Sequence, residues 1–133
     1  MFWGPFVTGV VLGGATVCLM AVCGVLHQKG TWATTMVAIA SFYVIFAIQT
    51  GDAMEIIVHT GLAAGFVILA IVGGRTSSWI LAAALLGHGI FDIAVGSVLS
   101  NPAPNWWGPF CLGFDVVLAL ALAVMLCRRQ ILD

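Results

Sequence analysis

Residues 31–72, TWATTMVAIASFYVIFAIQTGDAMEIIVHTGLAAGFVILAIV, decide the fold. As one helix this stretch would run about 63 Å at 1.5 Å per residue, twice the roughly 30 Å of bilayer hydrocarbon. Gln49-Thr50-Gly51-Asp52 is its only polar break, so it divides into helices at about 31–49 and 53–72. Upstream, residues 6–26 form a span that ends at His27-Gln28-Lys29-Gly30. Downstream, the turn Gly73-Gly74-Arg75-Thr76-Ser77-Ser78 leads to a helix at about 79–99, the loop from Ser100 to Pro109, and a last helix at about 110–127 before Arg128-Arg129. The expected fold is all-α: a single polytopic transmembrane domain over residues 1–133, built as a compact bundle of five helices.

Composition supports lipid as the solvent. The chain has four basic and five acidic residues, against 62% hydrophobic residues and a mean hydropathy of +1.19. A soluble domain of this size needs roughly a quarter of its residues charged to cover its surface. No basic tract offers a nucleic-acid partner. Cys18, Cys23, Cys111 and Cys127 lie in or at the ends of apolar runs and read as buried thiols, with a disulfide or a Cys18/Cys23 metal pair as the alternative. The N-terminus lacks a basic segment and a small-residue cleavage site, so 6–26 reads as a retained span. Lys29, Arg75, Arg128 and Arg129 all fall on one side, which predicts the N-terminus outside and the C-terminus cytoplasmic, in a plasma membrane or a eukaryotic internal membrane.

Trp3 and Trp106-Trp107 suit the outer interface, and Trp32 and Trp79 the inner one. Gly9-x-x-x-Gly13, Gly61-x-x-x-Gly65, Gly89 and Gly96 are placed to let helix backbones approach closely. Membrane lipids are the surrounding partner, and a homodimer is compatible with this many small residues.

The informative feature is a set of ionisable residues inside the proposed helices. Asp52, Glu55 and His59 lie on the third, His88 and Asp92 on the fourth, and Asp115 on the fifth. Such groups are expensive in lipid and belong in a bundle interior or wet cavity. Glu55/His59 and His88/Asp92 are each four residues apart, so each pair shares a helix face. Counted at 1.5 Å per residue, His59, Asp92 and Asp115 come to roughly 8–10 Å below the outer helix ends, with Glu55 a turn shallower and His88 a turn deeper. Asp52 also reads as an N-cap with Glu55 as its capping-box partner.

Asp92 and Asp115 form an expected acid/base pair, with His59 and His88 as proton partners and Glu55 at the mouth. Burial and like-charge proximity keep a proton available to such a pair. The chemistry suits isomerisation, cyclisation, hydration or epoxide opening of a small lipophilic substrate. Phe66, Phe91, Trp106, Trp107 and Phe110 are candidate apolar walls whose faces can stabilise a cation. No cofactor is favoured. If a divalent metal is held, His59, His88, Asp92 and Asp115 are its candidate ligands, and a hydrolase or oxidase becomes the alternative. A proton-coupled transporter and a structural subunit of a membrane complex are the remaining alternatives. The His88-x-x-x-Asp92 pair, the five-span layout and the aromatic residues resemble the small membrane sterol isomerases. That resemblance implies proton donation and abstraction on a lipid by acids and histidines, with His88 and Asp92 in those roles.

Overall fold

The computed structural model describes residues 1–131 and contains five α-helices: α1 (Trp3–Val22), α2 (Lys29–Thr50), α3 (Ala53–Arg75), α4 (Ser78–Val98) and α5 (Trp107–Cys127). All five are long and apolar enough to cross a bilayer, and no strand occurs among the described residues. The chain is an integral membrane protein. In lipid an unpaired backbone group costs several kcal/mol, so helices that satisfy their own backbone are the form such apolar runs take.

Several helix ends differ from expectation: α1 starts at Trp3, α2 starts at Lys29, and α3 continues through the expected turn at Gly73-Gly74 to Arg75, while two further ends have a clear local cause. Helix α1 ends four residues early because Gly24 adopts φ 72°, a left-handed conformation that closes the helix although the apolar run continues. Helix α5 begins at Trp107, with Pro109 inside its first turn. The first turn has no intrahelical partners for its N–H groups, so proline is tolerated there. The earlier start makes Asp115 about 12 Å deep along α5 and places it between the levels of Asp92 and His88.

Helix α1 packs on α5, α5 on α4, α4 on α3 and α3 on α2, while α2 also touches α4. Glycines set the closest approaches. A Cβ at Gly9 would collide with the Phe110 carbonyl oxygen, and one at Gly113 with the carbonyl of Phe6. Gly108 lies against the Asp92 carbonyl, and a Cβ at Gly89 would come within 3.1 Å of the Asp115 Cβ. Helices α4 and α5 are thereby drawn together at the level of the two aspartates. Gly61 and Gly65, by contrast, meet nothing within 4 Å, so this small-residue pair forms no close crossing among the described residues.

Two apolar clusters fill the interior. One contains Trp32, Met36, Leu81, Leu85, Leu118 and Leu122, and the other Tyr43, Val95, Trp107 and Cys111. Trp32 is fully buried and its Nε1 donates to the Leu26 carbonyl at 2.8 Å, so it is a core residue and not an interfacial anchor. Trp79 is half exposed, as an anchor should be. His27 Nδ1 donates to the Gln130 carbonyl at 2.7 Å, joining the α1–α2 loop to the segment after α5 at the bundle's basic end.

Candidate functional site

Where the two apolar clusters meet lies a polar centre. His88 Nδ1 lies 3.0 Å from Asp115 Oδ2, to which it donates, and 3.2 Å from Asp92 Oδ2. All three side chains are buried, and one potential ligand atom from each lies within 4.8 Å of the others. The four-residue spacing on α4 puts His88 and Asp92 on one face. Gly89, on the same helix, admits Asp115 from α5. Such a cluster is capable of acid/base chemistry or of coordinating a divalent metal.

Its hydrogen bonding is incomplete. Asp92 Oδ1 and Oδ2, Asp115 Oδ1, Tyr43 Oη, Trp107 Nε1 and His59 Nδ1 are buried without a hydrogen-bond partner. Folded proteins pair the great majority of such atoms. Six such atoms fall in one part of a small bundle, around the buried His88, Asp92 and Asp115. Lysine and arginine counter-charge is remote: Lys29, Arg75, Arg128 and Arg129 lie at the first turn of α2, the last of α3 and beyond α5. Arg128 is about 20 Å along the chain axis from Asp115.

Glu55 and His59 form a separate pair. His59 Nε2 lies 3.2 Å from Glu55 Oε2 and donates to the Ser100 carbonyl at 3.1 Å. A pocket of about 190 Å³ opens beside them, lined by Met54, Glu55, Val58, His59, Leu99 and Ser100. The expected capping box is half formed. Asp52 Oδ1 accepts from the N–H groups of Met54 (2.7 Å) and Glu55 (3.2 Å), but the Asp52 N–H donates to Thr50 Oγ1, leaving Glu55 to His59. The structure thus brings together His88, Asp92 and Asp115, and sets His59 and Glu55 apart from them.

Tyr43 stands between the two groups. Its ring stacks on His59 at 5.5 Å and meets His88 edge-on at 6.5 Å, while its hydroxyl faces Asp92. Phe66 and Phe91 wall the centre, with ring centroids 4.7 and 6.2 Å from His88. Trp107 and Phe110 instead line a groove of about 440 Å³ between α2 and α5, together with Thr35, Ala38, Ile39, Phe42, Cys111 and Phe114. Trp106, half exposed, lines a neighbouring recess with Pro5 and Thr8. Cys111 lines the groove and also interacts with Asp92.

Tyr43 and Cys111 are the site residues that the sequence reading passed over. Signals for both exist: Tyr43 is the chain's only tyrosine, set in the middle of an apolar run, and Cys111 precedes Asp115 by four residues and so shares its face. No family model, curated protein or solved structure matches this chain.

Proposed function

We propose that the protein is a small intramembrane enzyme that takes a lipophilic substrate sideways from the bilayer and transforms it by carboxylate/histidine acid/base chemistry. One observation carries this reading: Cys111 belongs both to the apolar groove between α2 and α5 and to the surroundings of the buried polar centre, where it interacts with Asp92. An apolar groove ending at a few convergent polar groups is the usual form of a small-molecule site.

In this reading the proton that His88 shares with Asp115 is the acid, and the Asp92 carboxylate, whose Oδ1 has no hydrogen-bond partner, is the base. Asp115 holds the His88 ring in place. Phe66 and Phe91 keep water out and present ring faces to any positive charge that develops on the substrate. Isomerisation, cyclisation, hydration and epoxide opening all fit this donor and acceptor pair. We further propose that the basic end of the bundle faces the cytoplasm, so that the centre lies nearer the outer leaflet.

The apolar half of the core weighs against a proton-coupled carrier. Beyond His88 the interior toward the basic end is Leu81, Leu85, Leu118, Leu122, Trp32 and Met36, which offer no polar path. Protein reconstituted with lipid extracts should convert a lipophilic component, and Asp92→Asn and Asp115→Asn should lose that conversion while remaining folded. Conversion that survives both substitutions refutes the proposal.

A further inference from the structure

We infer that His88, Asp92 and Asp115 bind one divalent first-row transition ion, such as Zn2+, Mn2+ or Fe2+. The inference goes beyond the acid/base reading and does not depend on it.

Geometry supplies the first argument. Ligands about 2.0–2.1 Å from a tetrahedral ion are separated by roughly 3.3 Å. The two His88–carboxylate separations are 3.0 and 3.2 Å, so an ion fits among these atoms with shifts of a few tenths of an ångström. The remaining carboxylate–carboxylate edge is within the cluster's 4.8 Å spread and closes by side-chain rotation. The backbone on both sides is already held in place at Gly89 and Gly108.

Unpaired atoms supply the second, independent argument. Asp92 Oδ1 and Asp115 Oδ1 are buried acceptors with no hydrogen-bond partner, Asp92 Oδ2 has only the His88 Nδ1 contact at 3.2 Å, and the two residues are 2% and 0% exposed. Two carboxylates in a low-dielectric interior need compensating positive charge. All four Lys and Arg side chains belong to the other end of the bundle and His88 carries at most one positive charge, so a bound dication balances the two carboxylates where the single imidazole does not.

Ligand type then narrows the ion. One imidazole nitrogen with two carboxylates favours a borderline first-row ion over Ca2+ or Mg2+, which prefer all-oxygen sets. His59, a candidate ligand on sequence grounds, belongs to the Glu55/Ser100 site and not to this one. The ion and the His88 proton compete for the same atoms, so an ion-loaded centre would polarise a substrate oxygen in place of donating a proton to it.

The test uses the full chain in detergent, stripped with chelator and titrated with Co2+ and Zn2+. The expected result is one ion per chain by elemental analysis, with visible Co2+ d–d bands lacking the intense thiolate charge-transfer band. Affinity should fall about tenfold or more in His88→Ala, Asp92→Asn and Asp115→Asn, and stay unchanged in His59→Ala and in Cys18→Ser/Cys23→Ser. Should the buried-site variants fail to fold, the wild-type Co2+ spectrum and the two controls decide alone. Absence of ion binding by the folded wild type, or its loss with Cys18 and Cys23, overturns the inference. Turnover by the chelator-stripped protein together with no ion uptake in the titration overturns the inference and leaves the proposed function standing; a bound ion with no turnover does the reverse.

Discussion

Replacing Asp92 with valine should make the protein more stable. Asp92 is 2% exposed and neither oxygen makes a hydrogen bond of good geometry. Each buried unsatisfied polar group costs about 1–3 kcal/mol, and valine is close enough to aspartate in size to occupy the same space without a large cavity. The change does remove an ion-pair contact, since His88 Nδ1 lies 3.2 Å from Asp92 Oδ2. His88 nevertheless keeps Asp115 at 3.0 Å, so no charge is left without a partner. The net effect is a gain of about 1–2 kcal/mol, as expected where a group is kept for chemistry and not for folding. Asp115→Val should have the opposite sign, losing about 1–3 kcal/mol, because it removes the acceptor of the His88 hydrogen bond. Reversible SDS titration in mixed micelles, followed by circular dichroism, measures both changes without knowledge of the substrate. If Asp92→Val destabilises the bundle by about 3 kcal/mol or more, the centre is a structural ion-pair network and the reasoning fails.

Three further outcomes follow from the packing. Gly113→Leu should drive its side chain into the Phe6 carbonyl and separate α1 from α5, at a cost of about 1–3 kcal/mol or more, whereas Gly65→Leu should change stability by no more than about 0.5 kcal/mol. Equal effects in SDS titration would contradict the helix contacts described. Asp52→Ala removes the acceptor of two first-turn N–H groups and should cost about 1 kcal/mol, with early amide exchange confined to the start of α3. Protection unchanged at Met54 and Glu55 would count against that cap. Ala38→Trp should fill the α2–α5 groove and lower turnover about tenfold or more with little change in stability; unchanged turnover would mean that substrate reaches the centre by another route.

The spans were legible because length and hydropathy act over some twenty residues, more than any local irregularity. Their ends were less so. Gly24 and Pro109 lie within apolar surroundings, and only backbone conformation shows that the first closes α1 while the second sits inside α5. The polar centre was legible in part for a similar reason. Four-residue spacing identifies which side chains share a helix face, and His88 with Asp92 is such a pair. Which face of α5 meets them depends on glycine contacts at Gly89 and Gly108, and these lie outside any spacing rule. Hence Asp115 could be matched with Asp92, while His59, at a comparable depth, turned out to bond Glu55 and the Ser100 carbonyl. Tyr43 and Cys111 stayed hidden among apolar neighbours because their importance comes from what faces them across the bundle.

Proton transfer to a lipophilic molecule is the central claim, and solvent deuterium tests it most directly. Wild-type protein in vesicles made from membrane lipid extract would be incubated in D2O, and carbon-bound deuterium sought in the recovered lipophilic compounds by mass spectrometry. The expected result is a species, deuterium-bearing where the proton goes to carbon and newly converted where it goes to an epoxide oxygen, that forms with the wild type, disappears with Asp92→Asn and Asp115→Asn, and is unaffected by Gly65→Leu. Folded wild-type protein that leaves every recovered compound both unconverted and free of new carbon-bound deuterium, or variants that convert or label it as fast as the wild type, would contradict the account.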